Sequence, residues 1–188
     1  MNNRLLAALS GAALLLSLAA CGGDGSGKKR DDWAKGVCDQ SAVQIAKINA
    51  ANTAISKVDS GGKPQAVKSA DSAAFQTISG AYGSLSSIFD KAGAPPGDEG
   101  MKFQQSAVSF FKNLSTQYAG LKKQVDGLDT SSQGKFADGL KSVSDSLTKV
   151  TAEAATPPAT LRGGDTGKAL AKQPGCQQVS GSPSPTAS

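Results

Sequence analysis

Apolar residues recur at intervals of three and four through four long segments, and glycine or proline breaks separate one segment from the next. The first stripe is Trp33, Val37, Ser41, Ile45, Ile48, Ala51, Ile55 and Val58. It predicts a helix from Asp31 or Asp32 to about Asp59, with acids where the positive end of the helix dipole favours them. Gly61-Gly62 ends it, and Pro64 suits the first turn of a second helix running to about Ala92. That helix carries Val67, Ala70, Ala74, Ile78, Ala81, Leu85 and Ile88, and Phe75, Tyr82 and Phe89 widen its buried face at seven-residue spacing.

After the breaker Gly93-Ala94-Pro95-Pro96-Gly97, Asp98 is placed to cap a third helix that reaches about Gly127. Its stripe is Phe103, Ala107, Phe110, Leu114, Leu121 and Val125, flanked by Phe111 and Tyr118. A fourth helix starts near Ser131 or Ser132 with Phe136, Leu140, Val143, Leu147, Val150 and Ala154, and Pro157-Pro158 stops it. No stretch alternates long enough for a strand. Short connections place successive helices antiparallel, so the expected fold is all-α, an up-down-up-down four-helix bundle. Residues 159–175 read as an irregular strap with a short turn of helix around Lys168 to Lys172, and QQVSGSPSPTAS as a disordered tail.

The first twenty residues follow a different plan. Arg4 precedes a run from Leu5 to Ala20 broken only by Ser10, Gly11 and Ser17. A permanent span needs about 20 apolar residues in helix, so this run is short for one and fits a cleaved export signal. Its end, Leu18-Ala19-Ala20-Cys21, resembles the lipobox of bacterial lipoproteins. The resemblance implies that Cys21 receives a diacylglyceryl anchor and becomes the mature N-terminus, facing outward from the cell membrane. Ordinary signal cleavage after Ser17-Leu18-Ala19 and an uncleaved anchor are the competing readings. On the lipobox reading the chain divides into a signal peptide (1–20), a lipidated flexible tether (21–30), a helical domain with its strap (31–176) and the tail (177–188).

Cysteine parity then changes. With Cys21 lipidated, Cys38 and Cys176 remain, and an exported pair is expected to be oxidised. In an antiparallel bundle the end of helix four lies beside the start of helix one, and the strap is long enough to carry Cys176 back to Cys38. Such a clamp would close a large loop and support a core that alanine and serine leave thin.

Charge and chemistry exclude more than they assign. The chain has 20 Lys and Arg against 15 Asp and Glu; removal of Arg4 leaves a formal +4, spread thinly rather than gathered in a nucleic-acid patch. There is no histidine, so the usual general base and the commonest metal ligand are both missing. Asp71, Asp90, Asp126, Asp138 and Asp145 supply no paired motif beyond Asp138 and Asp145 seven residues apart, which argues against a metal site. The serines have no evident base partner. No cofactor, metal or enzymatic activity is expected.

Two features remain. Antiparallel pairing of helices two and three would bring Phe89 near Met101 and Phe103, Tyr82 near Phe110 and Phe111, and Phe75 near Tyr118. This strip is either core packing or an apolar groove for a lipid or small molecule, and helical spacing favours core. Trp33 either covers the open end of the bundle or meets the membrane interface. In layout, with the lipobox, the DDWAKGVC start, alanine-rich helices and a late cysteine, the chain resembles small exported lipoproteins of Gram-positive, actinobacterial type. That resemblance implies a membrane-anchored binding or structural module of the envelope, with an envelope protein or cell-wall component as partner. The alternative is a bundle that binds a small molecule or lipid.

Overall fold

The computed structural model describes residues 24–177. Cys21, the expected signal segment and the residues after Gln177 lie outside the described residues. Every regular element among the described residues is helical: α1 (Asp24–Ser56), α2 (Pro64–Ala92), α3 (Gly100–Asp126), α4 (Gln133–Ala155), α5 (Ala159–Arg162), α6 (Gly164–Ala171) and α7 (Pro174–Gln177).

The limits of α2 match the sequence pattern because its punctuation is strong. Pro64 occupies the first turn, and Gly93 follows with φ of 70°, a conformation that glycine adopts without strain. Gly97, at φ 123°, turns the chain again towards α3. Gly100 then packs against the carbonyl of Pro95 so closely that a side chain would collide with it. Asp98 does not cap α3 as expected. The cap position falls to Glu99, whose side chain makes no capping bond. At α4, Ser132 does cap, its side chain accepting from the amide of Lys135 at 3.3 Å.

Two further differences concern the ends. Residues 24–30, expected as part of a flexible tether, form the first turns of α1. Glycines at 25 and 27 disfavour helix locally, but tertiary contacts outweigh them. Arg30 donates to the carbonyl of Pro96 and to Asp165 of α6, both at 3.3 Å, and Lys28 pairs with Asp32 one turn on at 2.8 Å. The strap is also more regular than expected. It folds into α5, α6 and α7, and the region expected as tail begins inside α7.

Helix α2 packs along both α1 and α3; α3 also meets α4 and α5, while α6 and α7 lie on α1. Ring and hydroxyl contacts fix the α2–α3 register as antiparallel: Phe75 meets Tyr118, Tyr82 meets Phe111, and Phe89 meets Phe103. Between them, Ser79 and Ser115 exchange hydroxyl-to-carbonyl bonds of 2.8 and 2.9 Å. The central core draws on all four long helices, through Ile48, Phe75, Ile78, Tyr118, Leu121 and Val143 among others. A second cluster at the end where α1 begins gathers Val37, Phe89, Phe103 and Ala107, with Trp33, Leu161 and Leu170 against it. Helix α4 is the shallowest partner: only Phe136, Val143 and Val150 are fully buried, and Leu140 and Leu147 stay half-buried.

The strap is fastened where the cysteine count suggested. Cys38 and Cys176 are 138 residues apart in sequence, and their sulfurs are within bonding distance with Cα atoms 5.1 Å apart. Cys38 is fully buried. A loop of this length, if cross-linked, limits the unfolded chain enough to contribute up to about 5 kcal/mol in the chain-entropy model.

Candidate functional site

The aromatic strip is the first candidate, and its own rings fill it. Phe75, Tyr82, Phe89, Phe103 and Tyr118 are all buried. Tyr82 stacks on Tyr118 with centroids 5.5 Å apart, Phe89 stacks on Phe111 at 5.3 Å, and Phe110 meets Phe111 edge-on at 5.3 Å. These are ordinary contact separations for packed aromatic pairs. Met101, expected to join the strip, is instead 68% exposed on the outer side of α3. The buried phenols are kept protonated: desolvation pushes Tyr82 well above the usual range, with Tyr118 adding to it, and pushes Tyr118 up to about 12.

Trp33 closes one end of the strip. Its ring stands edge-on to Phe89 at 6.2 Å and to Phe103 at 6.0 Å. Its indole N–H is shared between the carbonyls of Ala92 and Gly93, each at 3.2 Å. Those carbonyls end α2, so the indole satisfies acceptors that the helix leaves open.

Two surface recesses lie away from the strip's interior. One, about 820 Å³, opens at the end where α1 begins, between Arg30, the Pro96–Gly100 turn, Phe103 and the α5–α6 junction around Gly163 and Asp165. Arg30, Lys102, Asp98, Glu99 and Asp165 bring charges of both signs to it, beside Phe103, Pro96 and several glycines. The other, about 380 Å³, lies at the opposite end between α2 and α3. Lys68, Ser69, Ser72, Gln76, Lys122 and Asp126 line it together with Gln65 and Ala73, so polar groups there are mixed with apolar surface.

The acids do not assemble into a centre. Asp126 accepts from Ser72 at 2.6 Å and pairs with Lys122 at 2.6 Å, and these bonds hold its carboxyl below the usual range, the lysine first. Asp138 and Asp145 are both exposed on α4, and Asp90 is exposed on α2. No group of three or more potential metal-ligating side chains occurs among the described residues. None of the described helices is long and apolar enough to cross a membrane.

Asp71 is the acid whose setting the sequence reading missed. It is 8% exposed, and its Oδ1 is buried without a hydrogen-bond partner. Desolvation raises its carboxyl above the ordinary value. Position 71 lies on the helical line Val67, Asp71, Ala74, Ile78, whereas Ala70, assigned to the stripe for being apolar, is exposed. Spacing alone held the signal, and residue type masked it. Ser41, correctly placed in the α1 stripe, is likewise buried with an unpartnered hydroxyl.

No protein-family model, curated protein or solved structure shows significant similarity to this chain.

Proposed function

We propose that the four long helices form an antiparallel up-down-up-down bundle that serves as a non-enzymatic binding module of the cell envelope, held outside the cell membrane by a lipid on Cys21. The observation that carries the binding-module reading is the packed strip. With Phe75, Tyr82, Phe89, Phe103 and Tyr118 committed to one another, the apolar interior offers its groove to no ligand. Recognition then falls to the outer helix faces and the ends. The anchor rests on Leu18-Ala19-Ala20-Cys21, which stands three residues ahead of α1. A helix beginning at Asp24 shortens the stretch between the proposed lipid and the folded body.

Crosslinking in intact cells from the anchored protein is the direct test. A specific envelope component recovered above background supports the module. Recovery of a co-purifying lipid or small molecule with no such partner would instead favour the ligand-binding bundle. The anchor is tested separately: Cys21→Ser should move the protein out of the membrane fraction, and unchanged mass and fractionation would remove lipidation from the proposal.

A further inference from the structure

Helix α4 stops short of the end where α1 begins. Its last side-chain tie to α3 is Glu153, which accepts from Asn113 and Gln117, each at 2.7 Å, and the helix ends at Ala155. The first half of α3, from Gly100 to about Asn113, runs about 20 Å beyond that point. Over this length the strap, residues 156–177, packs against α1 and α3 in place of α4, as α5, α6 and α7. The second apolar cluster records the substitution. Val37, Phe89, Phe103 and Ala107 are its buried members, and Leu161 of α5 and Leu170 of α6 pack on them. Among the described residues no α4 side chain takes part in that cluster.

The strap has little of its own to hold it there. Leu161 and Leu170 are its only large aliphatic side chains, and both stay half-buried. Ala169 is buried but contributes only a methyl group. Asp165 pairs with Arg30 at 3.3 Å while remaining 70% exposed, and exposed ion pairs add little. Helices α5 and α7 have four residues each and α6 has eight, lengths at which a helix does not sustain itself. Ordering about twenty residues costs more entropy than two half-covered leucines return. What remains is the Cys38–Cys176 link, which ties the far end of the strap to α1. The central core, by contrast, contains no strap residue.

We propose that the strap is a redox latch: reduction of the Cys38–Cys176 link releases residues 156–177 while α1–α4 stay folded, and uncovers the apolar cluster around Val37 and Phe103. Cys38 is fully buried and Cys176 half-buried, so a dithiol reductant attacks at the Cys176 sulfur. Its first thiolate forms a mixed disulfide with Cys176, and Cys38 leaves and takes up a proton. Its second thiolate then displaces Cys176, which is protonated in turn. The reductant departs as its own disulfide, and the protein gains two thiols. The latch goes beyond the binding-module reading and needs neither the anchor nor a partner.

The test compares the full chain in detergent before and after dithiothreitol, with the thiol state of Cys38 and Cys176 assigned by mass spectrometry of their peptides. Trypsin should cut after Arg162, Lys168 and Lys172 at least about tenfold faster once the link is reduced, because local opening limits cleavage. Cutting after Lys112 and Lys141, exposed on α3 and α4, should change by less than about twofold. Trp33, the only tryptophan, packs in the cluster, so its emission should shift to the red. Helical circular dichroism should fall only by the strap's share. Re-oxidation should restore slow cleavage and the original emission. Free thiols at Cys38 and Cys176 before any reductant, unchanged rates after full reduction, equal acceleration at every site, or failure to recover on re-oxidation would each overturn the latch.

Discussion

Gly175 sits directly against the backbone of Cys38. A methyl group on its Cα would lie 2.5 Å from the Cys38 carbonyl oxygen and 2.8 Å from its carbon. Helix α7 can therefore bring Cys176 to α1 only because the preceding residue has no side chain. Gly175→Ala is expected to destabilise the fold by about 1–3 kcal/mol, as forced overpacking does, and to leave a fraction of thiols open to alkylation. Removing both cysteines should cost more, about 2–5 kcal/mol. Thermal unfolding and thiol counting check both. A Gly175→Ala protein with parental stability and no free thiol would contradict the close approach of α7.

Asp71 makes the pH dependence of stability readable. Burial raises its folded-state pKa above the usual 3.8. Between the unfolded and the raised folded value, the folded state keeps a proton that the unfolded state releases. Stability contributed through Asp71 therefore falls as pH rises through that window and stays low above it. Asp71→Asn should raise stability at pH 7 by about 1 kcal/mol, with the gain shrinking as pH approaches 4. Asp126 and Asp129 act with the opposite sign: their pKa values are depressed, Asp129 to about 2 by its bonds to Ser131 and then Lys135. Comparing variant and parent at each pH cancels them. A stability gain that is the same at pH 4 and pH 7 would refute the burial argument.

The sequence was legible where local punctuation and helical period agreed. Pro64 and the glycine–proline turn after Ala92 bound α2 where the structure does, and seven-residue aromatic spacing placed Phe75, Tyr82 and Phe89 opposite Tyr118, Phe111 and Phe103. It was illegible where long-range contacts decide. Gly25 and Gly27 read as tether, because the partners that order them, Pro96 and Asp165, are 66 and 135 residues from Arg30. The strap read as irregular because α5, α6 and α7 are too short to show a period. As for the candidate site, the aromatic strip was legible from the seven-residue spacing, whereas buried Asp71 was masked by its residue type although it lies on the same helical line as Val67, Ala74 and Ile78.

The α2–α3 seam is tighter than its apolar content suggests. Ser79 and Ser115 each donate to the other's carbonyl, Ser86 donates to that of Val108 at 3.0 Å, and a methyl at Gly83 would come within 3.3 Å of the Ser115 hydroxyl. Small residues let the backbones approach, and the hydroxyls bridge them. Ser79→Ala or Ser115→Ala should cost about 1 kcal/mol each, with a coupling energy of about 0.5 kcal/mol or more in a double-mutant cycle. Ser79→Leu should cost more than either, because it wedges the helices apart. Strictly additive alanine variants would show that the two serines act independently.

The start of α1 carries the last prediction, because it decides whether residues 24–30, which follow the proposed anchor site Cys21, belong to the folded body. Gly27 is helical, and nothing lies within 4 Å of where its Cβ would be. Gly36, deeper in the same helix, is equally open. An alanine at an open helical position gains about 0.5–1 kcal/mol over glycine, partly by restricting the unfolded chain. In a flexible tether that remains disordered after folding, the same substitution gains nothing, since folded and unfolded states are restricted alike. Gly27→Ala should therefore stabilise the protein, by somewhat less than Gly36→Ala because helix ends fray. If Gly36→Ala raises the unfolding midpoint while Gly27→Ala leaves it unchanged, residues 24–30 are not part of the cooperative fold and act as a slack segment behind the proposed anchor.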